Sequence, residues 1–132
     1  MTREHRHAKV ARAIWDAIAR GDRETLLTLF ATDAVLRVHG DNPWAGEYKG
    51  VDSVLSGMAR PADLVDDMRS ELLDVYAGDT GAVIRYRVTA ERGDAQLDQV
   101  YLTVVDIRNG RAIRVTSLAT DQLRTDAFWR GA

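Results

Sequence analysis

The chain of 132 residues contains no cysteine, only two prolines and an aromatic content of 7%. Without cysteine it can form no disulfide, no thiol nucleophile and no thiolate-bound zinc or iron–sulfur site. Nothing in the chain therefore requires an oxidising compartment, and we expect a cytoplasmic location.

An excess of positive charge is also missing. Lys and Arg number 18 against 20 Asp and Glu, which gives a formal net charge of −2 and a pI near 5.9. Such a chain has no overall field to hold nucleic acid or an anionic membrane. No apolar run is long enough to span a bilayer, and the charged stretch 1–7 is unlike a signal peptide. We expect neither nucleic acid nor a membrane as a partner.

Helix signals come early in the chain. Apolar residues recur every three or four positions between Ala8 and Arg20, which predicts an amphipathic helix. A second helix follows Asp22, and a third opens after Gly50 and ends near Arg60, because Pro61 is incompatible with a helix interior. A last short helix is predicted to begin after residues 120–121.

The remaining segments have the composition and period of strands. Two short ones span 34–39 and 44–48, and four long ones span 68–77, 82–92, 97–108 and 112–120. Tight turns separate the long strands, and Asn109-Gly110 is the strongest hairpin signal among them. The order α-α-β-β-α-β-β-β-β-α predicts an α+β fold in a single domain, 1–132, with 1–7 as a frayed tail.

This order resembles the SnoaL-like family of the nuclear transport factor 2-like superfamily. The phrases that carry the resemblance are Ala17-Ile18-Ala19-Arg20-Gly21-Asp22, Leu29-Phe30-Ala31-Thr32-Asp33-Ala34-Val35, Gly40-Asp41-Asn42-Pro43-Trp44-Ala45-Gly46 and Asn109-Gly110-Arg111-Ala112-Ile113. The resemblance implies a cone-shaped curved antiparallel sheet wrapped around the N-terminal helices, with a pocket for a small hydrophobic molecule. Family members include polyketide cyclases, ketosteroid isomerases, epoxide hydrolases and noncatalytic binding domains, so the fold alone implies no single reaction.

The enzymes of that family work through a carboxylate in a dry pocket. By the resemblance, their acidic residues fall near Val38, Thr103 and Ser117, and none of these carries a carboxylate. The remaining candidates for a catalytic base are His39 and Asp121. Each has a structural alternative, since His39 can be a plain strand-terminal residue and Asp121 a helix N-cap.

Candidate ligand contacts follow from the same resemblance. It places Arg85 and Arg87 on the cavity side, where they would bind an acidic group or an enolate; the alternative for Arg85 is an ion pair with Asp74. The other predicted substrate contacts are Trp15, Trp44, Tyr48, Tyr101, Thr103, Ser117, Val38 and Met58, with Trp44 and Tyr48 guarding an entrance and Trp15 either lining the pocket or packing in the core.

The opposite face of the sheet is predicted to be the interface of a homodimer, formed by Tyr86, Val100, Leu102 and Val104. Two functions remain open. One is a cofactor-independent enzyme of the cyclase, isomerase or epoxide-hydrolase type that acts by proton transfer on a small hydrophobic carbonyl or weakly acidic, polyketide-like molecule. The other is a noncatalytic ligand-binding or dimerisation domain. No cofactor is expected, and no metal site, because His5 and His7 lack a third ligand nearby.

Overall fold

A computed structural model of the chain describes residues 4–131. These residues form four helices and six strands in the order predicted from the sequence. The helices are α1 (Arg6–Arg20), α2 (Arg23–Leu29), α3 (Val51–Asp63) and α4 (Gln122–Arg130). The strands are β1 (Phe30–Val38), β2 (Gly46–Lys49), β3 (Asp67–Gly78), β4 (Gly81–Arg92), β5 (Ala95–Arg108) and β6 (Arg111–Ala119).

All six strands belong to one curved sheet, in the order β2-β1-β6-β5-β4-β3. Strands β3 to β6 form an antiparallel meander, β1 joins β6 in parallel, and β2 pairs antiparallel with β1. The helices pack against one face of this sheet, so the predicted α+β cone is confirmed. No helix among residues 4–131 has the length and apolar content needed to cross a membrane.

The turn between β5 and β6 confirms the Asn-Gly prediction. Asn109 and Gly110 have φ values of 53° and 76°, and the flanking residues Arg108 and Arg111 are paired. Two consecutive residues in the left-handed region form the hairpin turn whose twist matches that of the strands. The turn pairs Arg108 with Arg111, and a register shift between Asp106 and Ile107 then brings Thr103 opposite Ser117.

The N-terminal prediction is wrong for residues 5–7, which we expected to be part of a frayed tail. The His5 side chain accepts a hydrogen bond from the His7 amide and caps α1. His7 is buried, and its Nδ1 donates to the carbonyl oxygen of Gly78 at 2.7 Å. Helix α1 is thereby attached to the end of β3, and residues 1–3 lie outside the described part of the chain.

Helix α3 continues past the predicted end at Arg60 and holds Pro61 in its last turn. Proline has no N–H to donate to the carbonyl of Gly57, four residues earlier. That carbonyl oxygen instead accepts a hydrogen bond from Trp44 Nε1 at 2.9 Å. The helix tolerates the proline because an indole from another segment supplies the missing donor.

Candidate functional site

A cavity of about 430 Å³ lies between the inner face of the sheet and the helices. Its volume is in the range of small-molecule sites. Helices contribute Ile14, Trp15, Ile18, Ala19, Met58, Pro61 and Trp129; strands contribute Phe30, Leu36, Met68, Ser70, Ile84, Tyr86, Val88, Tyr101, Thr103, Val105, Val115 and Ser117; and Trp44 comes from the segment before β2.

The exposure of the lining residues locates the mouth of this cavity. Ile18 is 40% exposed, and Ala19 and Ser70 are exposed as well. These residues lie on α1 and β3, whereas Phe30 and Trp129 are fully buried at 0%. A ligand would therefore enter between α1 and β3 and reach toward the centre of the sheet.

Five aromatic side chains form a continuous wall along the cavity, which we call the aromatic wall. Ring centroids lie 5.2 Å apart for Trp15 and Tyr86, and 5.8 Å apart for the stacked pair Tyr86 and Tyr101. The wall continues from Tyr101 to Trp44 at 6.2 Å and from Trp44 to Trp129 at 5.8 Å. Such a surface suits a flat, apolar molecule, because aromatic rings offer large contact areas with few rotatable bonds.

Three hydroxyl groups lie together beside this wall and form the hydroxyl cluster, Tyr86, Thr103 and Ser117. The oxygens of Tyr86 and Thr103 are 3.0 Å apart, and Thr103 lies opposite Ser117 in the pairing of β5 with β6. Ser117 is 4% exposed, and its Oγ has no hydrogen-bond partner among residues 4–131. Burial raises the pKa of Tyr86, and the hydrogen bond with Thr103 offsets this only in part, so the phenol keeps its proton at neutral pH.

A second tyrosine hydroxyl is held at the deep end of the aromatic wall. Trp129 Nε1 donates to the Tyr101 hydroxyl oxygen at 2.9 Å. Burial raises the pKa of Tyr101 as well, which keeps this phenol neutral. Among residues 4–131 the cavity lining contains no Asp, Glu, His, Lys or Arg. The site is thus an uncharged space whose polar groups are hydroxyls and indole N–H groups.

Six of the eight predicted nonarginine contacts line the cavity, namely Trp15, Trp44, Met58, Tyr101, Thr103 and Ser117. Trp44 does not guard an entrance as expected, because it is only 7% exposed and belongs to the inner wall. Tyr48 lies outside the lining and supports that wall instead, since its hydroxyl donates to the Trp44 carbonyl oxygen at 2.6 Å. Val38 is buried beside a smaller crevice.

The expectation that Arg85 and Arg87 face the cavity is wrong. Both are exposed on the outer face of β4. Arg87 binds Asp98 through two hydrogen bonds of 2.8 and 2.6 Å, which raise the pKa of Arg87 and lower that of Asp98. Asp74 lies opposite Arg85 as predicted, but Arg85 Nη1 donates to the Tyr76 hydroxyl at 2.9 Å and the pair makes no salt bridge in the described chain.

The sequence analysis also predicts Tyr86 on the outer face, and this prediction is wrong because Tyr86 lines the cavity. Side chains alternate along a strand, so Tyr86 must point away from Arg85 and Arg87. Its cross-strand partner is Tyr101, and both line the cavity. The predictions for Arg85, Tyr86 and Arg87 are wrong for the same reason. If one side chain of a strand is placed on the wrong face, its neighbours are placed wrongly as well, because the faces alternate.

The two candidate bases lie outside the main cavity. His39 is exposed just past the end of β1 and borders the smaller crevice, which shares Trp44, Tyr101, Ser117 and Trp129 with the main cavity. Asp121 is exposed and serves as the N-cap of α4, where its side chain accepts from the Arg124 amide at 3.1 Å. Neither side chain belongs to the lining of the main cavity, although the crevice beside His39 also includes Ser117 of the hydroxyl cluster.

A polar contact missed in the sequence holds Trp44 in place. Asp126 is 4% exposed and accepts hydrogen bonds from Asn42 at 2.7 Å and Gln122 at 2.9 Å. Burial acts to raise the pKa of Asp126, but these hydrogen bonds, together with one from the Asp41 backbone and the charge of Arg130, hold the pKa below the ordinary value of 3.8. Asn42 in turn accepts from the Trp44 amide at 2.9 Å, so α4 positions one member of the aromatic wall.

Within residues 4–131 no group of three His, Asp or Glu side chains is arranged to hold a metal ion. His5 and His7 have ring centroids 5.2 Å apart, and both take part in the hydrogen bonds that anchor α1.

Comparisons with known proteins agree with the fold described above. The family model that describes SnoaL-like domains matches residues 11–115 of this chain. An uncharacterized protein of Mycobacterium tuberculosis is 34% identical over 122 residues, which cover 91% of this chain and 93% of that protein. Bal32a, from a soil-derived mobile gene cassette, is 31% identical with a TM-score of 0.86 and coverage of 95% and 97%. TerC, co-crystallized with polyporic acid, is 12% identical with a TM-score of 0.78 and coverage of 94% and 98%.

Proposed function

Because this chain belongs to the SnoaL-like family, we propose that its cavity binds a small, flat, mostly apolar molecule and that binding is its primary function. The observation that supports this is the lining of the 430 Å³ cavity, which is uncharged and includes the five side chains of the aromatic wall. TerC, which shares the fold, was co-crystallized with polyporic acid. The weakly acidic ligand allowed by the sequence loses its support, since Arg85 and Arg87 lie on the opposite face.

Equilibrium dialysis with a neutral aromatic probe tests this proposal. We expect isopropylnaphthalene, a two-ring hydrocarbon, to bind the wild-type protein in a saturable way. Ala19→Phe narrows the mouth and is expected to weaken binding at least tenfold. Ala127→Phe adds the same ring at an exposed helical position away from the cavity and is the matched control. Equal affinity in both variants contradicts binding in this cavity.

A second candidate is acid–base catalysis with His39 or Asp121 as the base, and one observation favours it. The crevice beside His39 shares four residues with the cavity wall. In this reaction a C–H bond next to a ligand carbonyl breaks, the proton goes to the base, and the electron pair forms an enolate that the Tyr101 hydroxyl stabilises.

Solvent exchange distinguishes the two candidates. The methyl protons of acetylnaphthalene are followed by NMR in deuterated buffer. Catalysis predicts enzyme-dependent exchange that His39→Ala or Asp121→Asn abolishes while binding is retained. Exchange at the buffer rate contradicts the catalytic candidate and leaves the binding function in place.

We also infer that a second copy of the chain covers the outer face of the sheet. Val100, Leu102 and Val104 are half-buried there, next to Val83 and Leu118 on the neighbouring strands. Charged residues of both signs, such as Arg87 and Asp98, surround these side chains. In a two-fold dimer the same surface of both protomers meets, so opposite charges can lie against each other. Light scattering tests this: Leu102→Glu is expected to yield monomers, and a monomeric wild-type protein contradicts the inference.

A further inference from the structure

We propose that His5 and His7 form an acid-sensitive attachment of α1, which holds the start of this helix at the end of β3 at neutral pH and releases it at mildly acidic pH. Helix α1 supplies four side chains to the cavity lining, among them Trp15 of the aromatic wall. Its attachment therefore decides how firmly one wall of the cavity is held. Release of the helix is a property of the fold and does not depend on whether a ligand is bound.

The cap of α1 is an imidazole rather than a carboxylate or a hydroxyl. His5 Nδ1 accepts the hydrogen of the His7 amide at 3.0 Å. An imidazole nitrogen accepts a hydrogen bond only while it carries no proton, and in the charged ring both nitrogens are donors. Proton uptake at Nδ1 of His5 therefore removes the cap. It also places a positive charge at the N-terminal end of the helix, where the helix dipole is already positive.

The position of His7 opposes a charged ring as well. His7 is 6% exposed, and its Nδ1 donates to the carbonyl oxygen of Gly78 at 2.7 Å. A buried charge without an opposite charge beside it costs free energy. The two imidazole centroids lie 5.2 Å apart, so a charge on one ring makes a charge on the other less favourable. The attached state thus binds fewer protons than the released state, and it is lost as the pH falls.

The sheet beneath α1 offers no compensating carboxylate in the described chain. Helix α1 packs on β3 and β4. The inner-face pairs of these strands are apolar apart from the hydroxyls of Ser70 and Tyr86: Met68 with Ala90, Ser70 with Val88, Leu72 with Tyr86, Val75 with Ile84, and Ala77 with Ala82. A second charge-free surface therefore surrounds the helix on its buried side.

The charged groups near the start of α1 do not favour a charged imidazole either. Glu4 is already paired with Arg12, and Arg6 and Lys9 are positive. Asp79 follows Gly78 in the turn, is exposed, and forms no ion pair with either imidazole within residues 4–131. On α2, the other element packed against α1, the cap carboxylate is paired with Arg20. Because histidine changes its charge between about pH 5 and 8, release is expected in that range.

Helix α2 provides the comparison within the same molecule. Its cap is Asp22, whose side chain accepts from the Thr25 amide at 3.1 Å. Hydrogen bonds from the Thr25 hydroxyl and amide hold the pKa of Asp22 below its ordinary value. This cap therefore keeps its acceptor at pH 5. Mild acid is expected to remove the cap of α1 and to leave the cap of α2 in place.

Amide hydrogen exchange followed by NMR at pH 7.5 and pH 5.0 tests this, because it reports the opening of each helix separately. Each rate is divided by the intrinsic rate at that pH. We expect the protection of the His7 and Lys9 amides to fall about tenfold at pH 5.0, the combined effect of a lost cap and an unfavourable charge. The Thr25 and Leu26 amides at the start of α2 are expected to change by less than about twofold.

The decisive variant is His5→Asn, because asparagine is a strong helix cap that does not titrate. We expect the fall in α1 protection to shrink below about threefold in this variant. His39→Asn makes the same change at the third histidine, past the end of β1, and is the matched control that keeps the wild-type fall. His5→Ser is a second cap without titration and replaces the asparagine variant if thermal unfolding shows that the latter does not fold.

Four results overturn the proposal: equal protection of α1 at both pH values, the same fall in His5→Asn as in the wild type, loss of the fall in His39→Asn, or an equal fall in α2, which would show general acid unfolding. Each of these leaves the proposed binding function in place. Failure of the wild-type protein to bind isopropylnaphthalene removes the binding function and leaves the acid-sensitive attachment to be decided by exchange alone.

Discussion

The two faces of the central strands are made from the same stretches of sequence but have opposite chemistry. On β4, Ile84, Tyr86 and Val88 face the cavity, while Arg85 and Arg87 face outward. The part of the inner face that lines the cavity carries no charged side chain in the described chain, and its polar groups are hydroxyls and indole N–H groups. The outer face carries exposed ion pairs such as Arg87 with Asp98. The contrast supports the proposal of a ligand site on the inner face, where the cavity lining is uncharged.

The strongest test of this contrast removes a fully buried side chain of the cavity lining, Trp129 on α4. Trp129 is 0% exposed, so Trp129→Ala is expected to lower the free energy of unfolding by about 4 kcal/mol, since it leaves a large hole and an unpaired Tyr101 hydroxyl. Urea titration measures this. Leu123→Ala on the same helix, at a side chain 83% exposed, is the control and is expected to change it by less than about 0.5 kcal/mol. Similar changes in unfolding free energy for the two variants would contradict the placement of Trp129 on the buried side of α4 and of Leu123 on its exposed side.

Adjacent valines on β5 sharpen the comparison, because they differ in little except the face they occupy. Val105 is 1% exposed on the inner face, and Val104 is half-buried on the outer face. Val105→Ala is expected to cost about 2 kcal/mol of unfolding free energy and Val104→Ala less than about 1 kcal/mol. If a second copy covers the outer face, the cost of Val104→Ala will rise with protein concentration. A larger cost for Val104→Ala in dilute monomer would contradict the assignment of faces.

A third prediction concerns Asp126, a buried carboxylate whose hydrogen bonds position Trp44 of the cavity lining. Its pKa in the folded protein lies below 3.8, so its contribution to stability is complete above pH 3.8 and is lost as the pH falls through the folded pKa. Asp126→Ala is expected to cost about 1.5 kcal/mol at pH 7 and to remove this part of the acid sensitivity. Urea titrations at pH 7 and pH 3 measure both effects. A variant with an unchanged pH dependence would show that Asp126 is not the group responsible.

The smallest effect is expected from the outer ion pair. Arg87 and Asp98 are both exposed, and exposed pairs are screened by water and salt. Arg87→Gln is expected to leave the urea midpoint close to that of the wild type, and the affinity for acetylnaphthalene unchanged. A clear loss of ligand binding would place the guanidinium in the site after all and contradict the division between the faces.

Much of the fold could be predicted because its signals are local. Apolar spacing gave the helices, and the residues Asn109-Gly110 gave the hairpin whose left-handed φ values the structure confirms. The end of α3 could not be found this way, because Pro61 is tolerated only through the distant indole of Trp44. Local rules cannot anticipate a donor that arrives from another segment.

The faces of β4 were predicted wrongly although the sequence held a signal that settles them. A two-residue turn at Gly93-Asp94 pairs Arg92 with Ala95, and counting back along both strands pairs Tyr86 with Tyr101. Paired residues share a face, so Tyr101 inside requires Tyr86 inside. The hydrogen bond between Asn42 and Asp126 had no such signal in the sequence, because the two residues are 84 positions apart.

The bond from Trp44 to the Gly57 carbonyl also bears on how the sequence can change. Gly57 has no room for a side chain, since a Cβ there would lie 2.9 Å from the Tyr48 ring and 3.0 Å from Leu36. Pro61 keeps the Gly57 carbonyl free of a helical donor, and Trp44 uses it. Any residue with an N–H at position 61 would compete with the indole for that oxygen. The three positions are therefore physically coupled, and in relatives a change at 61 is expected to accompany a change at 44.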